Sequence, residues 1–513
     1  MTIPGQQTFT FRRTEKPAAP LRRNKVIEAG AGTGKTTAIV AEVLQLLLGD
    51  IDVAPERIVL VTFTEKAAGE IADRIEDALN DIQSQLAGDV AAWPRKSDHP
   101  LFEVSPAQSD ACRRAVERQL ARIDGLRSQT IHSFCQTLLR QYPIEAGVDP
   151  QFRILEGFDR SLLYGQLYDE WIDDETRLHP NPNAAREWEE LLEHYGYLFQ
   201  ARAAIFTLVD KRHVLLDRKY DIGSIAEYEP ALHAALETYS QYFGCDPVPP
   251  PGSSIEAWIA YFAPMANDLR NRHLKGDESL KDCLRVLRGE KTGFCIYDLL
   301  VSHRAAAALL ALTTRFIARL DDEKRKRGVL DFDDLLIRTR ILLGNAAALD
   351  RIRQQFDYIF VDEFQDTDRV QVEIFDRLAR DRSGEFVPGK TIVVGDPKQS
   401  IYAFRRADPE TYKRFTESLA PRDFLVHQYR STPELVNVLN AIGERLFIDR
   451  EPDPNVFQPQ YHALKAARTA AAGDAPLILV GSEPDAEAEA ETIVSWIRSR
   501  GGDDLRNFAL LFR

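Results

Sequence analysis

A glycine-rich octet near the N-terminus is the segment best suited to chemistry. It follows an apolar pair, Val26 and Ile27, and it precedes a helix-like run over residues 37–48. Glycines let the chain curl so that several backbone N–H groups point to one place at a helix N-terminus, where an anion is stabilised. We therefore predict a phosphate-binding loop with contacts from Ala29, Gly30, Ala31, Gly32, Thr33, Gly34, Lys35, Thr36 and Thr37.

Two side chains of this loop extend the prediction to a magnesium nucleotide. Lys35 would reach the β- and γ-phosphates, and the hydroxyl group of Thr36 would coordinate Mg²⁺. The octet departs from the usual pattern at its first position, where Ala29 stands in place of glycine. Taken alone, the octet is also compatible with a turn that caps a helix.

The carboxylates that such a loop requires lie far downstream. Residues 358–361 form a short apolar run that predicts a buried strand, and Asp362 and Glu363 follow it. Asp362 would hold Mg²⁺, usually through water, and Glu363 would orient and deprotonate an attacking water. A further apolar run, residues 391–394, leads to Gln399. Because ligands bind at the carboxyl ends of parallel strands, we expect Gln399 at the same edge, sensing a γ-phosphate.

Length and composition favour a multidomain protein outside the membrane. The chain has 513 residues, of which 44% are hydrophobic and 28% charged. No apolar run approaches the roughly 18 residues of a membrane span. The N-terminus lacks a secretory signal, so the cytoplasm is the expected compartment. The five scattered cysteines predict buried packing residues rather than a metal site.

The net charge of −14 does not by itself exclude a nucleic-acid partner. A motor that grips DNA in a narrow channel needs only a local basic and aromatic lining, and acidic surface elsewhere limits nonspecific binding. The net charge therefore neither supports nor excludes binding to DNA.

The long interval between Lys35 and Asp362 predicts a large insertion, because neighbouring parallel strands need only short crossovers. The sequence predicts an α/β core with helices over residues 65–79 and 136–141, and a helical insertion over residues 148–326. After residue 446 we expect a new unit with strands at residues 476–480 and 508–512 around a helix at residues 486–498. The chain is expected to stop within this unit.

In chain order, these segments resemble the motifs of superfamily 1 DNA helicases of the UvrD/Rep type, and the branch they resemble is that of RecB/AddA-like subunits. The matching segments are residues 27–36, 61–68, 130–135, 331–335, 361–368, 395–404 and 428–431. The resemblance implies a P-loop RecA-like parallel sheet with a large inserted all-α domain. It divides the chain into lobe 1A (residues 1–147 and 327–446), the helical domain 1B (148–326) and a truncated beginning of a second RecA-like lobe, 2A (447–513).

The resemblance also implies roles for single residues. Tyr429 would stack on the adenine, and Arg430 would be an arginine finger on the γ-phosphate. Contacts with unpaired DNA would come from Thr62, Phe63, His132, Phe404 and Arg405, with the two phenylalanines stacking on bases. Read from the residues alone, Tyr429 could be an ordinary half-buried tyrosine, the two phenylalanines could belong to the core, and His132 could hold local structure.

The resemblance also bears on how the nucleotide and DNA sites communicate, on departures from the family pattern, and on which motifs of the family are present. Gln365 and Gln371 fit as polar couplers between the nucleotide and DNA sites, or as plain surface amides. Thr37 stands where many relatives have arginine, and Arg406 stands where the family usually has glycine. The family's last two motifs would lie beyond Arg513, and one lobe alone should neither hydrolyse ATP well nor unwind duplex DNA.

Two functions therefore follow from the sequence. The first is the ATP-binding portion of an ATP-dependent DNA helicase that moves 3′ to 5′ on single-stranded DNA in recombination or double-strand break repair. ATP and Mg²⁺ are its expected cofactors, single-stranded or duplex DNA its substrate, and a RecC- or AddB-like subunit its partner. The second is a noncatalytic DNA- or partner-binding subunit that keeps a nucleotide site.

Overall fold

A parallel sheet of six strands forms the centre of the computed structural model. The structure describes residues 8–10, 23–49, 52–87, 101–103, 109–175, 182–215, 229–243, 247–250, 252–265, 278–287, 296–401, 408–447, 459–469, 486–501, 506 and 508–509. In chain order, strands β1 to β6 are Lys25–Ala29, Ile58–Thr62, Arg127–Thr130, Tyr358–Val361, Thr391–Gly395 and Arg422–Leu425. Across the sheet their order is β6, β1, β5, β4, β2, β3.

The inner strands are buried on both faces, which explains their continuous apolar runs. Side chains alternate between the faces along each strand. In β2, Ile58 and Leu60 therefore enter one apolar cluster, whereas Val59 and Val61 enter the cluster on the opposite face. Helices cover both clusters, so the sheet has no solvated face along these strands.

The helices fall into three groups along the chain. Helices α1 to α5 accompany the first three strands: Lys35–Leu48, Glu65–Leu86, Ser109–Leu120, Ile131–Gln141 and Pro143–Ala146. Helices α6 to α13 follow before the fourth strand: Gly157–Asp173, Pro182–Tyr195, Leu198–Val209, Arg212–Leu215, Glu229–Phe243, Ile255–Phe262, Glu278–Leu287 and Ile296–Arg327. Helices α14 to α19 complete the described chain: Phe332–Leu342, Ala346–Arg353, Arg369–Ala379, Pro409–Leu419, Pro433–Leu446 and Ala486–Gly501.

Short pieces of secondary structure link these elements. Parallel strand pairs join Thr8–Thr10 to Leu101–Glu103, Arg153–Ile154 to Val329–Leu330, and His427–Gln428 to Lys465–Ala466. Short 3₁₀ helices cover Pro55–Arg57, Ile123–Gly125, Ala263–Met265, Phe364–Asp366 and Pro397–Gln399. The pair Arg153–Ile154 and Val329–Leu330 closes the base of the helical region, because the chain leaves the core at its first strand and returns at its second.

The helical region has its own apolar interior, separate from the clusters that cover the sheet. Its two clusters are centred on Trp258 and on Trp171. The long helix α13 contributes Leu300 to the first and Phe316 to the second. Because α13 spans both clusters, it ties the helices of this region into one packed unit.

The fold class predicted from the sequence is confirmed: the core is α/β with a parallel sheet, and helices are inserted between its third and fourth strands. The predicted helix at residues 65–79 continues to Leu86. The helix predicted from residue 136 begins at Ile131, because the Thr130 hydroxyl oxygen accepts a hydrogen bond from the Ser133 N–H and caps it.

Strand β6 is absent from the sequence-based prediction. It is an edge strand that begins with Arg422 and Asp423, and such charged residues are typical of edges and mask the strand pattern. The strand predicted at residues 476–480 lies outside the described residues. Of residues 508–512 the structure describes two, and neither is in a strand. The helix predicted at residues 486–498 is present as α19.

Two further expectations concern cysteines and membranes. Cys135 and Cys283 are buried free thiols, and Cys112 is half-buried. Among the described helices, none combines the length and apolar character needed to cross a bilayer.

Gly443 in α18 provides a test of the packing beside the core. A Cβ atom at this position would lie 2.2 Å from the Tyr461 ring, so a side chain there must displace the tyrosine. We expect Gly443→Ala to lower the free energy of unfolding by about 1–3 kcal/mol. The control Gly69→Ala, in α2 with nothing within 4 Å of the new Cβ, should raise it by about 0.5–1 kcal/mol. Urea denaturation measures both, and stabilisation by both variants would contradict the packing.

Candidate nucleotide-binding site

The loop between β1 and α1 has the geometry of a phosphate cradle. Gly32 and Gly34 have φ angles of +77° and +88°, and Gly34 is the residue that precedes α1. The Thr33 N–H and hydroxyl groups both donate to the Gly30 carbonyl oxygen, at 3.2 and 2.7 Å. Among the described residues, the N–H groups of Gly34, Lys35 and Thr36 have no acceptor. These N–H groups at a helix N-terminus are suited to bind an anion.

Lys35 and Glu363 form an ion pair, although they are 328 positions apart in the sequence. The Lys35 Nζ atom lies 2.8 Å from both carboxylate oxygens of Glu363. Lys35 is the first residue of α1, and Glu363 follows β4. Strand β5 lies between β1 and β4, so the contact spans the carboxyl edge of three adjacent strands.

The backbone at Glu363 is in the left-handed region, with φ +50° and ψ +41°. A non-glycine residue pays about 1–3 kcal/mol for such a conformation, and the conformation is typical of functional sites. Two hydrogen bonds hold it: the Glu363 N–H donates to Asp362 Oδ1 at 2.9 Å, and the Asp366 N–H donates to the Glu363 carbonyl oxygen at 3.0 Å. The turn therefore aims the Glu363 side chain at Lys35.

Asp362 and Asp366 stand beside this pair and have perturbed acidities. Burial raises the pKa of Asp362 to about 6, and the charge of Glu363 adds to the effect while Lys35 opposes it. Burial and Glu363 likewise raise the pKa of Asp366 to about 6. A cation near these carboxylates would be stabilised, because ionised carboxylates crowd together there without enough positive charge.

Gln365 connects this acidic turn to the end of β5. Its Nε2 atom donates to Glu363 at 2.8 Å and to Asp366 at 3.1 Å, and its Oε1 atom accepts from the Asp396 N–H at 2.9 Å. The side chain is buried. A Cβ atom on Gly395 would lie 2.5 Å from Gln365 Oε1, so this position has room only for glycine. Gln365 is thus a buried bridge rather than a surface amide.

Gln371, the second predicted coupler, has a local role. It is the third residue of α16, and its side chain and that of Asp368 cap the helix reciprocally. This capping box satisfies two N–H groups at the helix start. Gln371 therefore caps a helix, and of these two glutamines only Gln365 connects the acidic turn to the end of β5.

The predicted sensor Gln399 lies at the same edge and contacts Asp396. Its Nε2 atom donates to Asp396 Oδ2 at 2.8 Å, and Lys398 Nζ lies 2.7 Å from Asp396 Oδ1. Asp396 is buried, so it organises both neighbours. In this arrangement the amide nitrogen of Gln399 is engaged by Asp396.

The segment with Tyr429 and Arg430 packs directly on the loop. The Tyr429 N–H donates to the Gly32 carbonyl oxygen at 2.8 Å. A Cβ atom on Gly32 would lie 2.7 Å from the Arg430 Cβ and 2.8 Å from Gln428 Nε2. Arg430 is exposed, and none of the ion pairs found among the described residues involves it. Its guanidinium group is therefore available beside the loop.

The residues present fit a magnesium nucleotide. A cavity of about 410 Å³ adjoins the loop and is lined by Gly30, Ala31, Gln399 and Arg430 together with apolar residues of α18. Among the described residues, no group of three or more histidine, cysteine, aspartate or glutamate side chains is placed to hold a metal ion. Mg²⁺ needs no such group, because it keeps several waters and binds one or two protein oxygens plus phosphates. Thr36 and Asp362 could supply those oxygens.

The residues predicted to contact DNA have different environments. Thr62 is buried and its hydroxyl group donates to the Thr64 carbonyl oxygen at 2.9 Å, whereas Phe63 is 39% exposed. His132 is half-buried, and its ring meets that of Phe332 edge-on at 5.3 Å. Burial lowers the pKa of His132, and the charge of Asp333 opposes this effect. Phe404 and Arg405 lie outside the described residues.

Two further residues near these segments, Glu65 and Gln428, are harder to recognise as important from the sequence alone. Glu65 accepts hydrogen bonds from the hydroxyl groups of Thr130 and Ser133, at 2.8 and 2.7 Å, and so joins two predicted DNA-contacting segments. Gln428 stands out only as part of a motif, and its contact with Gly32 depends on tertiary packing.

Comparison with known proteins agrees with this geometry. The profile of the UvrD/REP helicase N-terminal domain matches residues 12–420, which is most of the chain. The chain belongs to this family. The matched range includes the loop at β1, the acidic turn after β4 and the end of β5.

Curated relatives point to one branch of the UvrD/REP family. The chain is 29% identical over 469 residues to the RecBCD enzyme subunit RecB of Escherichia coli K12, covering 82% of this chain and 38% of that protein. It is 26% identical to the ATP-dependent helicase/nuclease subunits of Alkaliphilus oremlandii (82% and 38%) and of Staphylococcus aureus (84% and 39%). The chain thus spans less than two-fifths of the length of these relatives.

The raised pKa of Asp362 predicts a pH-dependent stability change. The folded chain holds this proton more tightly than an unfolded aspartate, whose pKa is about 4. The stability gained from the bound proton is therefore fully present below about pH 4 and is lost as the pH rises through about 6. Asp362→Asn should raise the free energy of unfolding by about 1–3 kcal/mol at about pH 8 and by much less at about pH 4.

Urea denaturation across this pH range measures the effect. The control Asp423→Asn, at a more exposed aspartate of β6, should show no gain that grows with pH. A gain for Asp362→Asn that is equal at all pH values would contradict the burial of an ionisable carboxyl group here.

Proposed function

We propose that this chain is the ATP-binding part of an ATP-dependent DNA translocase. The observation that carries the proposal is the contact of Lys35 with Glu363, at the mouth of the phosphate loop and next to Asp362. Family membership and the names of the relatives support a nucleotide-driven activity on DNA. The alternative of a helix-capping turn does not explain why a lysine, a strained glutamate and a half-buried aspartate converge on this loop.

The contacts suggest how the residues would divide the work. Lys35 has two possible anionic partners, Glu363 and a phosphate group, so a bound triphosphate would draw Lys35 away. Glu363 would then be free to accept a proton from a water molecule. Mg²⁺ held by Thr36 and Asp362 would neutralise charge on the phosphate oxygens. Arg430 could add a cation from the opposite side of the loop.

Gln365 offers a route from this chemistry to DNA. It binds Glu363 with its amide nitrogen and the end of β5 with its amide oxygen. Its backbone carbonyl oxygen accepts from the Ser400 hydroxyl group at 3.2 Å, just before the segment with Phe404 and Arg405. A change in the hydrogen-bond partners of Glu363 would therefore be transmitted through Gln365 to the segment that we expect to contact DNA bases.

The direction of movement, the pathway and the partner extend this proposal. We propose 3′ to 5′ movement on single-stranded DNA, a role in recombination or double-strand break repair, a RecC- or AddB-like partner, and a cytoplasmic location. We also propose lobe 1A at residues 1–147 and 327–446, the helical domain 1B at 148–326, and the beginning of lobe 2A at 447–513.

A noncatalytic DNA- or partner-binding subunit that keeps a nucleotide site is the second candidate function. The observation that favours it is the same ion pair, because Lys35 and Glu363 neutralise each other's charge without a nucleotide. A site used only for regulation or stability could retain this contact. The two candidates differ in whether DNA stimulates hydrolysis.

Nucleotide binding should depend on Lys35. Lys35→Ala removes the cation that neutralises the phosphates, and we expect it to abolish MgATP binding measured by calorimetry. The matched control is Lys413→Ala, at an exposed lysine of α17, which should bind MgATP like the unaltered chain. Equal affinity of the unaltered chain and Lys35→Ala would defeat the site assignment.

Hydrolysis should depend on Glu363. In a polypeptide that joins this chain to a second RecA-like lobe, which hydrolysis is expected to require, single-stranded DNA should stimulate ATP hydrolysis, and Glu363→Gln should lower the stimulated rate by a factor of about 10²–10⁴ while MgATP binding is kept. Glu385→Gln, at an exposed glutamate, serves as the control. If DNA produces no stimulation although MgATP binds, the noncatalytic subunit is the better description.

A further inference from the structure

A short segment after α18 lies against the residues that carry Tyr429 and Arg430. This segment, the brace, comprises residues 461–468, and none of the segments that resemble helicase motifs includes it. Its two-residue strand pairs in parallel with the strand His427–Gln428. The brace is therefore a direct neighbour of the segment that packs on the phosphate loop.

Hydrogen bonds continue this pairing as far as Arg430. Three of them, each 2.7 or 2.8 Å long, join the two segments: the Lys465 N–H donates to the Val426 carbonyl oxygen, the Ala467 N–H to that of Gln428, and the Arg468 guanidinium group to that of Arg430. The first two bonds join backbone groups, whereas the third depends on a side chain. Arg468 therefore holds a peptide group beyond the backbone pairing.

One peptide group connects the brace to the phosphate loop. The Gln428 carbonyl oxygen accepts from Ala467 of the brace, and the N–H of the next residue, Tyr429, donates to the Gly32 carbonyl oxygen at 2.8 Å. The C=O and N–H groups of a trans peptide point in opposite directions, so this peptide lies between the brace and the loop. A shift of the brace would therefore move Tyr429 and Arg430 relative to the phosphate loop.

Asn440 of α18 fixes the brace. Its Oδ1 atom accepts from the Leu464 N–H at 2.8 Å, and its Nδ2 atom donates to the Leu464 carbonyl oxygen at 2.9 Å. An amide side chain offers both a donor and an acceptor, so it binds Leu464 as the backbone of a neighbouring strand would. The Tyr461 hydroxyl group also donates to Asn440 Oδ1, at 2.8 Å. A Cβ atom on Gly30 would lie 4.0 Å from Leu464 Cδ2, so the brace itself approaches the phosphate loop.

The bond from Arg468 to the Arg430 carbonyl oxygen is an exposed contact, and none of the ion pairs found among the described residues involves Arg468. A single hydrogen bond adds little to the stability of a large domain. At a binding site it matters more, because a displacement of about 1 Å is enough to weaken a contact with a bound ligand strongly. Arg430 is itself exposed, so the position of its guanidinium group depends on how firmly its backbone is held.

We propose that Arg468 is a positioning residue that holds Arg430 where its guanidinium group binds the γ-phosphate of a nucleoside triphosphate, and that Asn440 fixes the brace on which Arg468 depends. The inference rests on the proposed function, in which Arg430 supplies a cation to the bound triphosphate, and adds the residues that position this cation. Since a diphosphate has no γ-phosphate, loss of Arg468 should weaken triphosphate binding more than diphosphate binding.

Calorimetry on the full chain compares its affinity for MgAMPPNP, a non-hydrolysable analogue of MgATP, with its affinity for MgADP. Arg468→Met removes the hydrogen bond but keeps an unbranched side chain, and it should weaken MgAMPPNP binding roughly threefold and MgADP binding much less. Arg468→Lys should retain most of the affinity, because one donor is enough for the Arg430 carbonyl oxygen. The control Arg414→Met, at a side chain of α17 that is 75% exposed, should bind both nucleotides like the unaltered chain.

A second variant tests the support of the brace. Asn440→Ala removes both hydrogen bonds to Leu464, and it should weaken the binding of both nucleotides, because Tyr429 shifts together with Arg430. MgAMPPNP should again lose more affinity than MgADP. The matched control is Asn437→Ala, at an exposed asparagine of the same helix. Unchanged affinities in Asn440→Ala would overturn the role of Asn440.

A double-mutant cycle tests whether Arg468 acts through Arg430. Arg430→Ala should weaken MgAMPPNP binding more than MgADP binding, and the addition of Arg468→Met should cause no further loss. Additive losses would show that Arg468 acts independently of Arg430 and would overturn the inference.

The outcomes separate this inference from the proposed function. If Arg430→Ala weakens MgAMPPNP binding selectively and Arg468→Met changes neither affinity, the inference is overturned while the proposed function stands. Equal losses of the two affinities in Arg468→Met would mean that Arg468 only maintains the fold, which also overturns the inference. If the unaltered chain binds neither nucleotide, the proposed function and the inference both fail.

Discussion

The ion pair between Lys35 and Glu363 joins the two segments that form the candidate nucleotide site. It forms because β5 pairs with both β1 and β4, which puts the phosphate loop and the acidic turn on one edge of the sheet. The entire helical region is inserted between these two segments of sequence. The insertion is tolerated because the chain leaves and re-enters the core at adjacent strands, Arg153–Ile154 and Val329–Leu330.

Steric limits at glycine positions keep the surrounding loops in place. Gly32 admits Arg430 and Gln428 so closely that any side chain would collide with them, and its φ angle is also unfavourable for other residues. Gly395 likewise makes room for Gln365. Glycine at these points lets residues 428–430 approach the phosphate loop and lets the acidic turn approach the end of β5.

Buried polar side chains carry the longer connections. Gln365 joins the acidic turn to the end of β5, and Asp396 then holds Gln399. Arg212 joins the inserted helices to the start of α14. Buried hydrogen bonds and ion pairs depend on the orientation of their groups. Each of these side chains therefore fixes the relative position of the segments it joins more narrowly than apolar packing alone would.

Local patterns in the sequence are enough to define the class of fold and the chemical inventory of the site. The apolar segments before Asp362 and Gly395 indicate buried strands, and the glycine-rich octet with its lysine and the paired acidic residues together indicate a site for a magnesium nucleotide. Tertiary packing was needed to show that Lys35 faces Glu363, that Gln365 is a bridge and Gln371 a helix cap, and that β6 completes the sheet. Hydrophobic pattern and local propensity act over a few residues, whereas most of these contacts join side chains that are distant in the chain and depend on strand order and close packing.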